Sequence, residues 1–417
     1  MAESLNAYKD IVGQECIDQL YQLAKVLKGL RITHVSSTQL GGGVAEILTN
    51  MIPLMQSLGI EARWEIIKGP QSFFECTKDF HNALQGNKIL FTPSQLKLYE
   101  EVNEKNAKHL RDVLEDSHIV IVNDPQPAAL IDHFPRRNNK WIWRCHVDGS
   151  RPNHFAWRYL SKFISGYDAT VFSLVEFAHA LPHPIFVIPP SIDPLSDKNK
   201  ELSEKEVQEI FGIYGIDPDR PMILQVSRYD RFKDQLGVIE AYRMVKKVNP
   251  EVQLVFAGSE AVDDPEGKKV LKDIRAVASD DPDIHILMLA SDAHLHVNAL
   301  QRAATIILQK SIKEGFGLTV TEGLWKAKPV IGGNTGGIKL QIVDKYTGFI
   351  VNTPEGAAYR MRYLLQHAEK AQNMGTLGRE FVREKFLITR HIRDYLGLAI
   401  SLMTGDTDRV ELDRCIL

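Results

Sequence analysis

Four cysteines in 417 residues are few, and no two of them form a CxxC pair. Cys16, Cys76, Cys145 and Cys415 lie scattered, which argues against a disulfide framework or a zinc site and fits a reducing cytoplasm. Long apolar runs are missing as well. No stretch of about 18 apolar residues occurs, so a conventional spanning helix is excluded and no membrane partner is expected. The first twenty residues carry Glu3, Asp10, Glu15 and Asp18, without a basic segment leading into an apolar block, so no secretory signal is expected. Charge of one sign is not in excess either. A net charge of -3 recruits neither nucleic acid nor anionic lipid, although a local basic site for a small anion remains compatible with it.

What is present suits a globular chain with two cores. With 44% hydrophobic and 25% charged residues, 417 residues are too many for one ordinary core and fit two domains of roughly 200 each. Short β-branched runs alternate with longer helical patterns. Strands are expected at 31–37, 60–67, 118–123, 140–147, 168–172 and 185–188, with Gly41-Gly42-Gly43 turning the first into a helix over 44–58. Residues 188–206 are rich in proline, serine and charge and read as a linker. Alternation restarts with strands expected at 222–227, 252–257, 284–289, 305–309, 329–331 and 348–351, and the chain from 354 reads as helical. Two successive βαβ series imply an α/β protein of two Rossmann-like, doubly wound domains facing across a cleft.

Two segments carry most of the chemistry. Gly315-Phe316-Gly317 follows an expected strand and opens a helix over 318–326. A glycine-flanked helix start exposes free N–H groups and a positive dipole end, which suits a phosphate. Glu314 stands before that helix and Glu322 inside it, so two carboxylates straddle the anion site and could accept hydrogen bonds from two sugars. Either one alone would be explained as a cap or a solvated early-helix residue. The second segment, Ser227 to Asp234, leaves the first strand of the second domain at its carboxyl end, where ligands of open α/β sheets sit. Arg228 can fork two phosphate oxygens and Lys233 adds a point charge, whereas Arg231 reads as surface. Asp292-Ala293-His294-Leu295-His296 lacks a third ligand cluster and reads as a solvated helix start, so no protein-bound metal is expected.

Taken together, Ser227-Arg228…Lys233-Asp234, Ala257-Gly258-Ser259, Glu314-Gly315-Phe316-Gly317…Glu322 and Lys328-Pro329-Val330-Ile331 resemble the signature of retaining glycosyltransferase family 4, with its GT-B fold. The resemblance implies that Arg228 and Lys233 hold the donor diphosphate and that Glu322 binds the ribose. It also implies that Glu314 and its loop (Gly315, Phe316, Gly317, Leu318, Thr319) bind the transferred sugar. In the first half, His34 to Thr38 through Gly41–Glu46, Val122-Asn123-Asp124-Pro125-Gln126 and Trp143-Arg144-Cys145-His146-Val147-Asp148 resemble the trehalose glycosyltransferring synthases and related trehalose phosphorylases. That likeness implies donor contacts at Gly42 and Gly43, and acceptor contacts at Asp124, His146 and Asp148, with His146 near the reacting sugar. These relatives commonly carry a histidine before the aspartate; here it is Asn123. A lone histidine at a strand end is ordinarily structural, and His146 gains weight because Asp124 and the glycine turn also follow strands of one sheet.

The implied organisation is an acceptor-binding domain over 1–200, a nucleotide-sugar-binding domain over 201–390, and a helical tail over 391–417 packing back on the first. The implied reaction is reversible, retaining transfer of glucose from UDP-, ADP- or GDP-glucose to glucose, giving trehalose, with Mg²⁺ travelling with the nucleotide if present. No carboxylate nucleophile for a double displacement stands out. Front-face substitution, with the leaving phosphate taking the acceptor's proton, is the economical expectation. A trehalose phosphorylase is the runner-up. A two-lobed binding protein and a nucleotide-sugar epimerase or hydrolase share the architecture but need no acceptor. The sequence admits a homodimer without requiring one.

Overall fold

A computed structural model describes residues 5–39, 42–258, 265–278 and 281–405. Gly41, Ser259 and Cys415, and with them the end of the expected tail beyond 405, lie outside the described residues. The chain divides into two compact units: one runs up to Pro190 and resumes at Ile388, the other spans Ser191–Leu387.

The first unit is built on six parallel strands, β1 (Arg31–Ser36), β2 (Glu61–Ile66), β3 (Ile119–Asn123), β4 (Lys140–Cys145), β5 (Ala169–Phe172) and β6 (Ile185–Val187). They lie in the order β2-β1-β3-β4-β5-β6, so the winding reverses between β1 and β3. Side chains alternate across the sheet, and the register aligns Val35, Val122 and Trp143 on one face. That face packs a continuous apolar core with Phe73 and Phe80, Tyr99, and Leu160 and Phe163 from three covering helices. Two of those helices start on sequence-legible caps: Thr92 with Gln95 forms a capping box, and Asn153 accepts from Phe155 and Ala156 N–H groups. The opposite face carries Asn123 aligned with Arg144. The last helix, Ile388–Thr404, packs against the helices Gln14–Val26 and Gly42–Ser57 of the same unit.

The second unit repeats the plan with β7 (Met222–Val226), β8 (Gln253–Gly258), β9 (Ile284–Met288), β10 (Ile306–Gln309), β11 (Val330–Gly333) and β12 (Gly348–Val351). Their order, β12-β11-β10-β7-β8-β9, reverses between β7 and β10. All strands are parallel and the central ones wholly buried, as near-continuous apolar runs require.

All twelve strands fall within a residue or two of their expected positions. The unit boundaries differ from the expected 200/201 and 390/391, and the hydrogen bonds show why. Asn298 Nδ2 donates to the carbonyls of Asp197 and Lys200, Arg302 Nη2 to that of Lys200, and Trp325 Nε1 to that of Asn199. The polar stretch 191–200 is therefore stitched to the second unit. At the other end Arg390 donates to the carbonyls of Pro189 and Pro190, which fixes the start of the last helix on the first unit.

Candidate active site

Each unit gathers its chemistry where its winding reverses, the place at which open α/β sheets bind ligands. In the second unit the loops after β7 and β10 meet there. Lys233 Nζ donates to Glu314 Oε2 at 2.6 Å, and Ser311 Oγ donates to the same oxygen at 3.1 Å. Both side chains of the pair are largely buried, so the contact is screened little. Lys233 sits at the end of a turn held by amide side chains from β7 and from the following helix: Gln225 donates to the Lys233 carbonyl at 2.8 Å and Gln235 to the Arg228 carbonyl at 2.9 Å. Behind it, Lys310 Nζ pairs with Asp234, whose left-handed backbone (φ 54°) closes the turn. Arg228 itself is 63% exposed at its side chain and lies 4.0 Å from Asp230, free to swing onto an anion.

The Glu314 loop lies against backbone too closely for any side chain to intervene. A Cβ on Gly336 would meet the Glu314 carbonyl oxygen at 1.7 Å, and one on Gly333 the Ser311 carbonyl oxygen at 2.1 Å. Gly317, at φ +86°, turns the chain into the helix Leu318–Trp325. Gln341 Nε2 holds the Phe316 carbonyl at 2.6 Å. The helix N-terminus and the Gly315-Phe316-Gly317 backbone, with Thr319 in the first turn, therefore form a rigid, dipole-positive cradle beside Lys233.

Glu322 lies in the same helix but wholly inside it. Lys198 Nζ stands 3.0 Å from its Oε1, and Gln301 Nε2 donates to its Oε2 at 3.0 Å. Burial pushes this carboxyl's pKa up, yet the ammonium groups of Lys198 and Lys326 outweigh it and hold the group below the ordinary carboxylate range. The structure thus groups Arg228, Lys233 and Glu314 in adjoining loops and sets Glu322 one layer deeper.

In the first unit Asp124, at the end of β3, takes a left-handed backbone (φ 66°) that few aspartates adopt. Its N–H donates to the Arg144 carbonyl at 2.7 Å, and its Oδ1 accepts the His146 N–H at 2.7 Å. His146 Nε2 lies 3.3 Å from Asn123 Oδ1. Burial raises the Asp124 pKa to about 6 against the opposing pull of the His146 N–H and Arg144. Burial, with Arg144 and His34 adding to it, drives the His146 imidazole well below its usual value, so it is neutral at physiological pH. Gly42 and Gly43 open the helix that follows β1, Gly42 at φ +81°. Asp148 differs from these: its Oδ1 accepts from the Ser150 N–H and hydroxyl, which makes it first of all a turn former.

The first half of the chain, residues 34–179, matches the family model for the trehalose synthase N-terminal domain, and residues 206–381 match that for glycosyl transferases group 1. A trehalose synthase of Thermococcus litoralis is 47% identical over 94% of this chain and 96% of its own length. The chain belongs to the trehalose synthase family. A trehalose phosphorylase of Pleurotus pulmonarius is more distant, 26% identical over 97% of this chain and 62% of its own. Among solved structures, a UDP-forming α,α-trehalose-phosphate synthase of Burkholderia xenovorans aligns with a TM-score of 0.71 at 15% identity, over 90% of this chain and 99% of that one. At that identity the likeness shows the fold, which is GT-B. Membership and fold together make this chain a trehalose-related glycosyltransferase.

Sequence reasoning passed over several residues of the site. Lys310 stands first after β10, a strand-end position that could have flagged it. Lys198 sat in a charge-rich linker with no periodicity, and Gln225 and Gln235 looked like ordinary polar residues. Among the described residues no group of His, Cys, Asp and Glu is placed to hold a metal ion, and no helix is long and apolar enough to cross a membrane. The Asp292–His296 stretch begins the helix His294–Ala303, with His296 bonded to the Tyr214 hydroxyl.

Proposed function

We propose that the protein is a retaining glucosyltransferase that makes α,α-trehalose reversibly from NDP-glucose and glucose, releasing NDP. The observation that carries the donor half is the Lys233–Glu314 pair beside a dipole-positive cradle at the β7/β10 reversal. Lys233, Arg228 and the helix start would neutralise the diphosphate as it leaves, which is where charge grows in the transition state. Glu314 would accept hydroxyls of the donated glucose while remaining held by Lys233. Glu322 would take the ribose hydroxyls alongside Lys198 and Gln301, which already keep it ionised. On the acceptor side, Asp124 and neutral His146 would accept hydroxyl protons of glucose, a reading supported by their joint hydrogen bond. The departing phosphate oxygen, rather than a protein carboxylate, would take the proton of the attacking hydroxyl. That front-face route gives retention. The family relationship supports trehalose as the product, and the phosphate cradle supports a nucleotide donor.

The test is a panel of UDP-, ADP- and GDP-glucose against glucose and other hexoses, with anomeric NMR of the product. An α,α-linkage is expected on transfer to glucose. A β-linkage would sink the retaining route. Cleavage of trehalose by inorganic phosphate faster than by NDP would make the protein a phosphorylase.

A further inference from the structure

The first unit contains a buried charge that its stability does not explain. Arg144 is wholly buried on the sheet face that the last helix shares. Its guanidinium has one hydrogen bond, Nη2 to the Ser173 hydroxyl at 3.2 Å, while Nε and Nη1 find no partner among the described residues. Arg390, also buried, shows what a structural arginine looks like in the same unit: Asp394 at 2.9 Å and two backbone carbonyls. A buried cation with no carboxylate in contact costs stability.

We propose that Arg144 is a positioning residue for the acceptor end of the first unit, acting on Asp124 and His146 as an unshared internal cation. The inference rests on the reading of those two residues as acceptor groups. Arg144 reaches Asp124 in two ways. Its carbonyl anchors the Asp124 N–H at 2.7 Å, which secures the left-handed turn that puts the carboxylate on the His146 N–H. Its guanidinium adds a positive field to the larger influence of the His146 N–H, and both favour the ionised carboxylate against burial. Among the described residues, the other titratable side chains around Asp124 add no such positive field. His34 of β1, His146 after β4 and His391 of the last helix are all kept neutral, by burial first and then by neighbouring cations where these add to it. Cys145 and Tyr395 are pushed toward their neutral forms by burial. Asp148 is taken by Ser150, and Arg390 by Asp394. The field that favours ionised Asp124 also adds to burial in keeping His146 neutral, so both can accept a hydroxyl proton at once.

The test compares the full-length wild type with Arg144→Met, Arg144→Gln and Arg144→Lys. Asp124 is titrated by NMR in protein labelled with ¹³C at aspartate carboxyls, its signal assigned by its loss in Asp124→Asn. Removing the charge is expected to raise the Asp124 midpoint by about tenfold in proton activity, and Arg144→Lys to restore most of the difference. The acid limb of the glucose KM profile should move with it, while the melting temperature of Arg144→Met equals or exceeds that of wild type. An unchanged Asp124 midpoint in folded Arg144→Met overturns the proposal. So does a melting temperature that falls in both neutral variants, since the arginine would then be structural. If Asp124→Asn keeps wild-type kinetics while Arg144→Met still shifts the titration, the acceptor reading of Asp124 fails and the coupling stands.

Discussion

Lys233 meets Glu314 at 2.6 Å, an ion pair that the proposed donor phosphate would share. Removing either member therefore does different damage. Lys233→Ala should cut kcat at least ~10²-fold if, as proposed, Lys233 donates to the leaving group. Steady-state kinetics on the folded variant checks this, and a near-normal kcat would take Lys233 out of the mechanism. Glu314→Ala should lower kcat with little loss of NDP affinity, whereas Glu322→Ala should weaken NDP binding most. Calorimetric titration with NDP separates them, and the reverse pattern would exchange their roles. Asp124 gives a stability prediction of defined sign. Its folded pKa of about 6 lies above the ordinary aspartate value of 3.8, so the folded state holds the proton more tightly than the unfolded chain does. The cost of ionising it is present above pH 6 and vanishes as pH falls below the unfolded value. It amounts to at most about 3 kcal/mol. Asp124→Asn keeps an acceptor for the His146 N–H and removes the charge. Denaturant unfolding should show the variant more stable than wild type at pH 8, with the gap closing toward pH 4. An equal gap at both pH values would contradict the raised pKa.

At the scale of elements, the Glu314 loop is held by a second loop that contains almost no side chain. Gly336 lies at φ +43° with the Glu314 carbonyl where a Cβ would go, so Gly336→Ala must push the two loops apart. A destabilisation of about 1–3 kcal/mol is expected, with a loss of kcat larger than the fall in melting temperature would suggest. Unchanged kcat with a normal melt would mean that the cradle is not the donor site. This contact also marks the limit of what sequence can tell. The twelve strands were legible because buried parallel strands are apolar runs bounded by polar turns, and the cradle because glycines mark a strand-to-helix turn. Pairs such as Lys198 with Glu322, or Arg144 with Ser173, join segments far apart in the chain and have no period to reveal them. The linker misled for a related reason. Its proline, serine and charge looked like a solvated boundary, but its carbonyls satisfy Asn298, Arg302 and Trp325, so it belongs to the second unit.

At the scale of the molecule, the two units differ in continuity. The second is one uninterrupted segment, Ser191–Leu387, and encloses its own core from Ile223 to Met374 together with Arg228, Lys233, Glu314 and Glu322. Even its ends are tied to each other: the Ile192 N–H donates to the Phe386 carbonyl at 2.9 Å. Expressed alone, residues 191–387 should fold with a cooperative melt and bind NDP, and they should not turn over. The first unit has no such independence, because its last helix arrives only after the whole second unit has been made. That helix buries Ile392, Tyr395, Leu396 and Ala399 and sets the Tyr395 ring at a tilt against His34 and His391. A chain ending at 387 would leave the apolar side of Gln14–Val26, with Leu20 and Leu23, facing water. Exposed apolar surface of this kind promotes association. The truncated chain should therefore show one cooperative transition, from the second unit, and bind a hydrophobic dye at temperatures where the full chain does not. Its NDP affinity, measured by calorimetry, should stay within a few-fold of the full chain because every proposed nucleotide contact in the second unit survives. Loss of both transitions on truncation would show that the second unit depends on the first for its fold, and the donor site could then not be assigned to Ser191–Leu387 alone.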